Sequence, residues 1–382
     1  MVDRHDHDQL ELVSSIDSAD LVFTQASPSQ HKRTWDFNCT SWAPPLSATD
    51  YKARETLLLT QDLTANGRFR GWLLHRANDP ADIVSSCELF HKTLYIRRPG
   101  DSGTVEECLA FGIASVFTNM RYRRQGMAEI LLRRLQERMD SEGAELSVLY
   151  SDIDSEYYSR LGWVAFPTPQ VTIHLLGKGP VRLGISDPER CVRFMNMKDE
   201  SYMRAICARD EEQLKARLET IDTSDGKTHI AFAPSYAQIA WHLVSEAFVE
   251  RALHGRDIER CGVITADGRS WVVWQRDWLE KKLKIHRIVI TSESEEQRVA
   301  DAIELLRAAV EEASTWGLQS VLAWSPDGAT VRAAEGLGKA YGDVLSIVFS
   351  ERIKGSVPCL RLNGGKDTSN ILWEDNQNYG WC

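Results

Sequence analysis

Val116-Phe-Thr-Asn-Met-Arg-Tyr-Arg-Arg-Gln-Gly-Met-Ala128 joins the end of an apolar strand to a short basic turn and the start of a helix. Upstream, Cys108–Thr118 is rich in small and β-branched residues, the pattern of a buried strand. Downstream, Met127, Leu131, Leu135 and Met139 recur every four residues and Ile130 fills the same face, so an amphipathic helix should start near Gly126. Gly143 suits its C-terminal cap. The first N–H groups of a helix have no acceptor within it and lie at the positive end of its dipole, so this junction can cradle a diphosphate. Gly126 lets the backbone approach closely, Ala128 keeps the next turn small, and Arg123 and Arg124 add positive charge at the rim. Taken alone, the segment reads equally well as a basic loop before an amphipathic helix.

Working outward, Glu145–Tyr150 reads as a strand, Ser155–Leu161 as a short helix stopped by Gly162, and Trp163–Leu175 as another strand. Before the deciding segment, Leu21–Ala26 and Phe69–Arg76 are strand candidates, and Ile83–Ile96 contains a third. Gly177–Ser186 is polar and bears Gly and Pro, as a linker does, and charged helical material follows to about Ile221. The second half then repeats the order of elements. Gly262–Thr265 and Trp271–Gln275 form a hairpin, Leu283–Thr291 a strand, and a helix capped by Ser294 runs to Gly317. Ser320–Trp324, Ala329–Gly336 and Val344–Ser350 complete the series as strand, helix and strand. The expectation is an α/β mixed-sheet domain over 1–180, a helical linker region over 181–235, and a second, degenerate lobe of the same order over 236–382.

A chain of 382 residues exceeds one ordinary core, which agrees with two lobes. The net charge of -10 argues against nucleic-acid binding, which rests on basic surface. It weakly suits a cationic substrate, but most acidic proteins owe such charge to solubility alone. Eight cysteines without a C-x-x-C pair, and no histidine pair at zinc spacing, point to free thiols and no metal. Met1–Leu10 is not of signal-peptide character and no stretch is apolar enough to span a membrane, so a cytoplasmic setting is expected.

Two motifs at normal mutual spacing make the reading specific. Arg123-x-x-Gly126-x-Ala128 resembles the [RQ]-x-x-G-x-[GA] pyrophosphate loop of the GNAT superfamily of N-acetyltransferases, and Tyr157-Tyr158-x-x-x-Gly162-Trp163 resembles its segment after the fifth strand. Arg124 departs from the pattern, since many members carry glycine there. The resemblance implies acetyl-CoA as co-substrate. Its pantetheine would pair with Val116, Phe117 and Thr118, its pyrophosphate would lie on Arg123, Arg124, Gln125, Gly126, Met127 and Ala128, and Tyr158 would protonate the departing thiolate. A narrower likeness runs through Gly112–Thr118, Leu149–Ile153, Trp241-His242 and Trp271–Asp277. It is to the fungal lysine N6-acetyltransferases, which acetylate the side chain of free L-lysine in lysine degradation. The architecture is also similar to the mycobacterial enhanced-intracellular-survival acetyltransferases, which use their C-terminal carboxylate in the active site. In the second lobe, Thr291-Ser-Glu-Ser-Glu-Glu296 is acidic and glycine-free where a phosphate loop would stand, so one acetyl-CoA per chain is expected.

A lysine amine, with pKa near 10.4, is neutral in only about one molecule in two thousand at pH 7, so a proton must be removed before nitrogen can attack. Glu106, Glu107, Asp152 and Asp154 flank the central strands and read either as that base or as solvated loop residues and caps. Asp152, at the mouth of the strand gap, is the preferred side chain, and the terminal carboxylate of Cys382 is the bolder candidate. The aromatic tail with Trp373, Tyr379 and Trp381 reads equally as packing. Trp241, His242 and Arg276 are candidate contacts for the amino-acid end of the substrate, with Trp241 and His242 open to a core role instead. A polyamine, an aminoglycoside-like amine, a protein lysine or a non-catalytic CoA-binding scaffold are the alternatives.

Overall fold

Ser27 ends the first strand and starts the first helix through reciprocal bonds. Its hydroxyl accepts from the Gln30 N–H, and its own N–H donates to the Gln30 side chain, with Pro28 preset for the first turn. In this computed structural model, which describes residues 17–100, 103–177, 179–184 and 191–381, the elements run as follows. The first half holds β1 (Leu21–Gln25), α1 (Pro28–Trp42), α2 (Ala48–Leu58), β2 (Phe69–Arg76), β3 (Asp79–Arg97), β4 (Glu106–Thr118), α3 (Met127–Ser141), β5 (Leu146–Ser151), α4 (Ser155–Ser159) and β6 (Val164–Ala165). Then come β7 (Pro169–Leu175), β8 (Val192–Asn196), α5 (Glu200–Glu219), β9 (Thr228–Phe232) and α6 (Tyr236–His254). The second half holds β10 (Arg260–Thr265), β11 (Trp271–Asp277), β12 (Lys282–Val289), α7 (Glu295–Thr315), β13 (Ser320–Trp324), α8 (Gly328–Ala340), β14 (Leu345–Glu351), β15 (Val357–Leu362) and β16 (Ile371–Trp373).

Two mixed sheets result. The first has the order β1-β2-β3-β4-β5-β15-β6, with β9 on the far end of the long β3 and β16 beside β9; the second has the order β14-β7-β13-β12-β11-β10-β8. Each sheet contains one parallel contact at matching places in the repeat, β4 with β5 and β12 with β13, and the first sheet has a second where β16 joins β9. The sheets exchange a strand. Trp163–Leu175, expected as one strand, is interrupted by Pro167 and Pro169, which lack the N–H a ladder needs. Val164–Ala165 stays with the first sheet, and β7 crosses to pair with β13, from Trp324↔Gln170 to Ser320↔His174. In return β15 pairs with β5, from Val357↔Ser151 to Leu362↔Leu146. Position along the chain therefore does not separate the sheets.

The exchange is locked by packing and by charge. Cys359 and Leu360 are completely buried, and burying a leucine side chain contributes about 1.5–3 kcal/mol. Arg361 makes two bonds of 2.7 Å to the Asp140 carboxylate on α3. A shared apolar core takes Leu146, Val148 and Leu360 from the first sheet, Trp271 and Val273 from the second, and Tyr379 from the tail. The tail is bound as well. The buried guanidinium of Arg287 bridges Asp210 on α5 and Asp375, and the Gln377 amide pairs with both backbone groups of Ile288. No helix among the described residues is long and apolar enough to cross a membrane.

A fragment of residues 1–180 should therefore lack a cooperative thermal transition, because β5 would lose β15 and β7 would lose its sheet. Circular dichroism melting checks this, and a sharp two-state melt of the fragment would contradict the exchange as a folding requirement.

Candidate active site

β4 and β5 pair in parallel only from Ala110↔Leu146 to Ile113↔Leu149, although β4 continues to Thr118 and β5 to Ser151. The cause lies on the other side of β4. Its pairing with β3 slips between Ser86 and Glu88, and Ser115 there has φ +51°, a left-handed conformation uncommon for serine. Such a bulge bends its strand and increases the local twist. The edge of β4 from Ala114 to Thr118 thus turns away from β5 and has no strand partner on that side among the described residues. Its backbone groups can pair with an extended, amide-bearing ligand.

The chain then turns through the basic loop into α3. The Asn119 side chain accepts from the Arg121 N–H and donates to the Ile83 carbonyl, and the buried Tyr122 hydroxyl donates to Asp82. Gly126 occupies the helix N-cap at φ +76°, where no side chain caps the first N–H groups. A Cβ placed on Gly126 would meet nothing within 4 Å, so the space before the helix is open. Arg124 lies at φ +61° with its side chain exposed, which gives the physical reason glycine suits this place. Arg123 lies 5.2 Å over the Phe117 ring and donates to the Thr118 carbonyl at 3.3 Å. Met127 is buried in the first-sheet core and offers the loop only its backbone, while Gln125 and Ala128 are half-buried. Open strand edge, uncapped helix start and flanking arginines together fit the pantetheine and diphosphate of acetyl-CoA.

A cavity of about 430 Å³ begins at this parting and runs to the second lobe. Ile113–Val116, Leu149 and Tyr158 line one end; Trp241, Arg276 and Trp381 line the other. Tyr158 is 9% exposed, and burial pushes its phenol well above the ordinary value, so it carries its proton at neutral pH. Tyr157 stands edge-on to it and does not line the cavity. Asp152 does line it, but is exposed, with one oxygen accepting from the Ser356 N–H at 2.8 Å. Glu106 and Glu107 are exposed at the start of β4, paired with Arg98 and Lys215, and Asp154 caps α4; none of the three lines the cavity.

From the second lobe, Trp241 lines the cavity, edge-on to Phe90 at 6.0 Å. Arg276 reaches its wall with a guanidinium already committed: it is fully buried, bonded to Glu246 at 2.8 Å and to Glu312, and lies 4.6 Å over Trp316. That pairing gives Arg276, a candidate contact for the amino-acid end of the substrate, two carboxylate partners at the cavity wall. His242 does not line the cavity. It stacks on His286 at 4.4 Å in the interior, where burial, aided by Lys92, lowers its pKa to about 3. The tail does arrive at the cavity through Trp381, whose carbonyl accepts from Gln238, while the Gly380 carbonyl accepts from Lys92. Cys382 lies outside the described residues.

Among the cavity residues not expected from sequence are His31 on α1, Tyr51 and Glu55 on α2, and Glu88 on β3. One of them had a visible signal. Glu88 is the lone carboxylate in the apolar run Ile83–Phe90, where a charge is out of place unless it has a partner or a task. The helical residues carried no such mark, since their chemistry depends on which sheet face the helices cover.

Residues 62–166 match the acetyltransferase (GNAT) domain, and residues 192–382, half of the chain, match the LYC1 GNAT-like C-terminal domain. The chain belongs to the LYC1 GNAT-like family. It is a GNAT acetyltransferase with two GNAT-like domains. An uncharacterized protein of Saccharomyces cerevisiae is 24% identical over 97% of this chain and all of its own. A lysine acetyltransferase of Yarrowia lipolytica is 19% identical over 74% of this chain and 78% of its own. Among solved structures, a GCN5-related N-acetyltransferase from Anabaena variabilis has TM-score 0.56 at 13% identity, over 90% of this chain and 73% of that one. Another from Kribbella flavida has TM-score 0.52 at 17% identity, over 90% and 72%. These two share the fold.

Gly126→Asp should weaken acetyl-CoA binding at least about tenfold, roughly 1.4 kcal/mol, by placing a negative charge at the helix start. Calorimetry checks this; unchanged affinity in a folded variant would remove the loop from the cofactor site.

Proposed function

We propose that this LYC1-like acetyltransferase transfers the acetyl group of acetyl-CoA to the side-chain amine of free L-lysine, in the cytoplasm, as an opening step of lysine degradation. The observation that carries the reading is the single cavity in which the open edge of β4, Tyr158 and a carboxylate-rich wall meet. Glu55, Glu88, Asp152, Glu246 and Asp277 line it, against the guanidiniums of Arg54 and Arg276, so it favours a cationic acceptor. The Yarrowia relative named a lysine acetyltransferase supports lysine in particular.

Acetyl-CoA supplies an activated thioester. The edge of β4 and the Arg123–Ala128 loop hold it, and free backbone N–H groups at the parting can stabilise charge developing on the thioester oxygen. Tyr158, kept protonated by burial, gives its proton to the leaving sulfur.

A second reading, a polyamine acceptor, is favoured by one observation. Arg54 is bonded to Glu55 and Arg276 to Glu246 and Glu312, so neither arginine is left unpaired for an α-carboxylate. Thiol release with acetyl-CoA and a panel of L-lysine, L-ornithine, spermidine and a lysine peptide separates the two. Lysine should give the highest kcat/KM; spermidine above lysine would replace the first reading with the second, and no release with any amine would sink both. Tyr158→Phe should lower turnover on the accepted amine about 10²-fold with little change in cofactor affinity, by steady-state kinetics and calorimetry. A larger loss from Tyr157→Phe would move the acid to that residue.

A further inference from the structure

The acetyltransfer needs a group that takes the ammonium proton, and the carboxylates of the cavity can be sorted by what already occupies them. Glu55 is bonded to Arg54 through two nitrogens, Glu246 is bonded to Arg276, and Asp277 lies 2.6 Å from the Lys284 ammonium. Asp152 is exposed and its Oδ1 accepts from Ser356. Unlike Glu55, Glu246 and Asp277, Glu88 carries no bond to an arginine or lysine among the described residues, and unlike Asp152 it is buried. It is 8% exposed and pairs across the sheet with Ala114, at the point where β4 parts from β5. Its Oε2 accepts from the Ser115 hydroxyl at 2.7 Å, and Ser115 is the residue whose left-handed backbone makes the bulge. Its Oε1 lies 3.0 Å from the His31 Nε2.

We propose that Glu88 is the proton acceptor for the incoming ammonium, with His31 and Ser115 as the positioning residues that hold its carboxylate at the parted strands; this rests on the amine-acetyltransferase reading above.

His31 is built into place. It is buried, its ring stands against Trp35 and Phe69 at 5.2 and 5.1 Å, and β2 makes room for it with Gly71, where a Cβ would come within 2.9 Å of the imidazole. The other titratable groups near Glu88 are Tyr51 and Glu55 on α2 and the adjacent Cys87 on its own strand. Burial raises the Glu55 carboxyl above its usual range, Arg54 opposes this, and Glu88 adds to it. Burial likewise raises the Tyr51 phenol, with Glu55 and Glu88 acting in the same direction. Two carboxylates at one wall attract an ammonium.

The protons balance. The ammonium gives one proton to Glu88, and the neutral nitrogen forms its bond to the thioester carbonyl carbon. The C–S bond breaks, and sulfur takes the Tyr158 proton. The second nitrogen proton restores Tyr158, and Glu88 releases its own to solvent, giving amide, thiol and one proton.

The test is the pH dependence of kcat/KM for Glu88→Gln, which keeps the shape and hydrogen-bonding reach of the side chain. Turnover at pH 7 should fall about 10²- to 10³-fold. Between pH 7 and 9 the variant's kcat/KM should then climb about tenfold per pH unit, as the free amine fraction does, while the wild type rises less. Acetyl-CoA affinity and Tm report that the variant is folded; if it is not, Glu88→Asp should show the same narrowing with pH. His31→Gln, which can still donate to Glu88, should keep more activity than His31→Leu. A purely structural role for Glu88 predicts a loss that is the same at every pH, and that result, or the narrowing appearing in Asp152→Asn instead, overturns the proposal. A wild type that acetylates no amine sinks the acceptor reading and this proposal together, whereas an active wild type with an equally active Glu88→Gln sinks this proposal alone.

Discussion

The parting of β4 from β5 beyond Ile113 and Leu149 is the constraint on which the rest of the molecule depends. Two parallel strands that stayed paired would bury their edges against each other and leave no room for an extended ligand. The bulge at Ser115 bends β4 away, and the bend is held from behind by Glu88, which binds the Ser115 hydroxyl. The same distortion therefore opens the strand edge and brings a buried carboxylate to it. A backbone in an uncommon conformation is tolerated because the long pairing of β3 with β4 on either side over-determines it.

The strand exchange extends this arrangement to the second lobe. With β15 beside β5, the far wall of the first sheet comes from the last part of the chain, and with β7 beside β13 the second sheet is completed from the first half. Neither sheet closes without the other half of the chain, so the cavity between them has a defined shape. The second lobe keeps the repeat without a phosphate loop: Ser294 caps α7 in an acidic turn where the first lobe has an open glycine. Its contribution to the cavity is a wall, with Trp241 on α6 and Trp381 in the tail, and the tail is held there by Lys92 and Gln238.

Much of this was legible in the residues because the governing signals are local. The helix from Met127 shows its 3.6-residue period, Gly126 marks its open start, and Tyr157-Tyr158 precedes Gly162 at the spacing of one short helix. The structure builds each of these elements, since each depends only on residues a few positions away. The break at Pro167 and Pro169 could also be seen in the sequence, but not its consequence, because a proline says that a strand ends and not which sheet receives the next one. Arg276 and His242 show the same limit. A lone arginine or histidine in a second-lobe element looks available for a ligand until the fold supplies Glu246 and Glu312 to the one and a buried partner, His286, to the other.

By itself, then, the sequence determined the repeated order of strands and helices, the glycine-started helix after β4 and the short Tyr157-Tyr158 helix, because periodicity, glycine and short-range spacing act through the backbone over one or two turns. Only the tertiary structure decided which half completes which sheet, which charged groups are already paired, and that Glu88 on β3 meets His31 on α1 and Ser115 on β4 at the parted strands. Those contacts join residues 27 and 57 positions apart, and the hydrophobic burial that brings them together is non-directional, so nothing in the local pattern could name the partners.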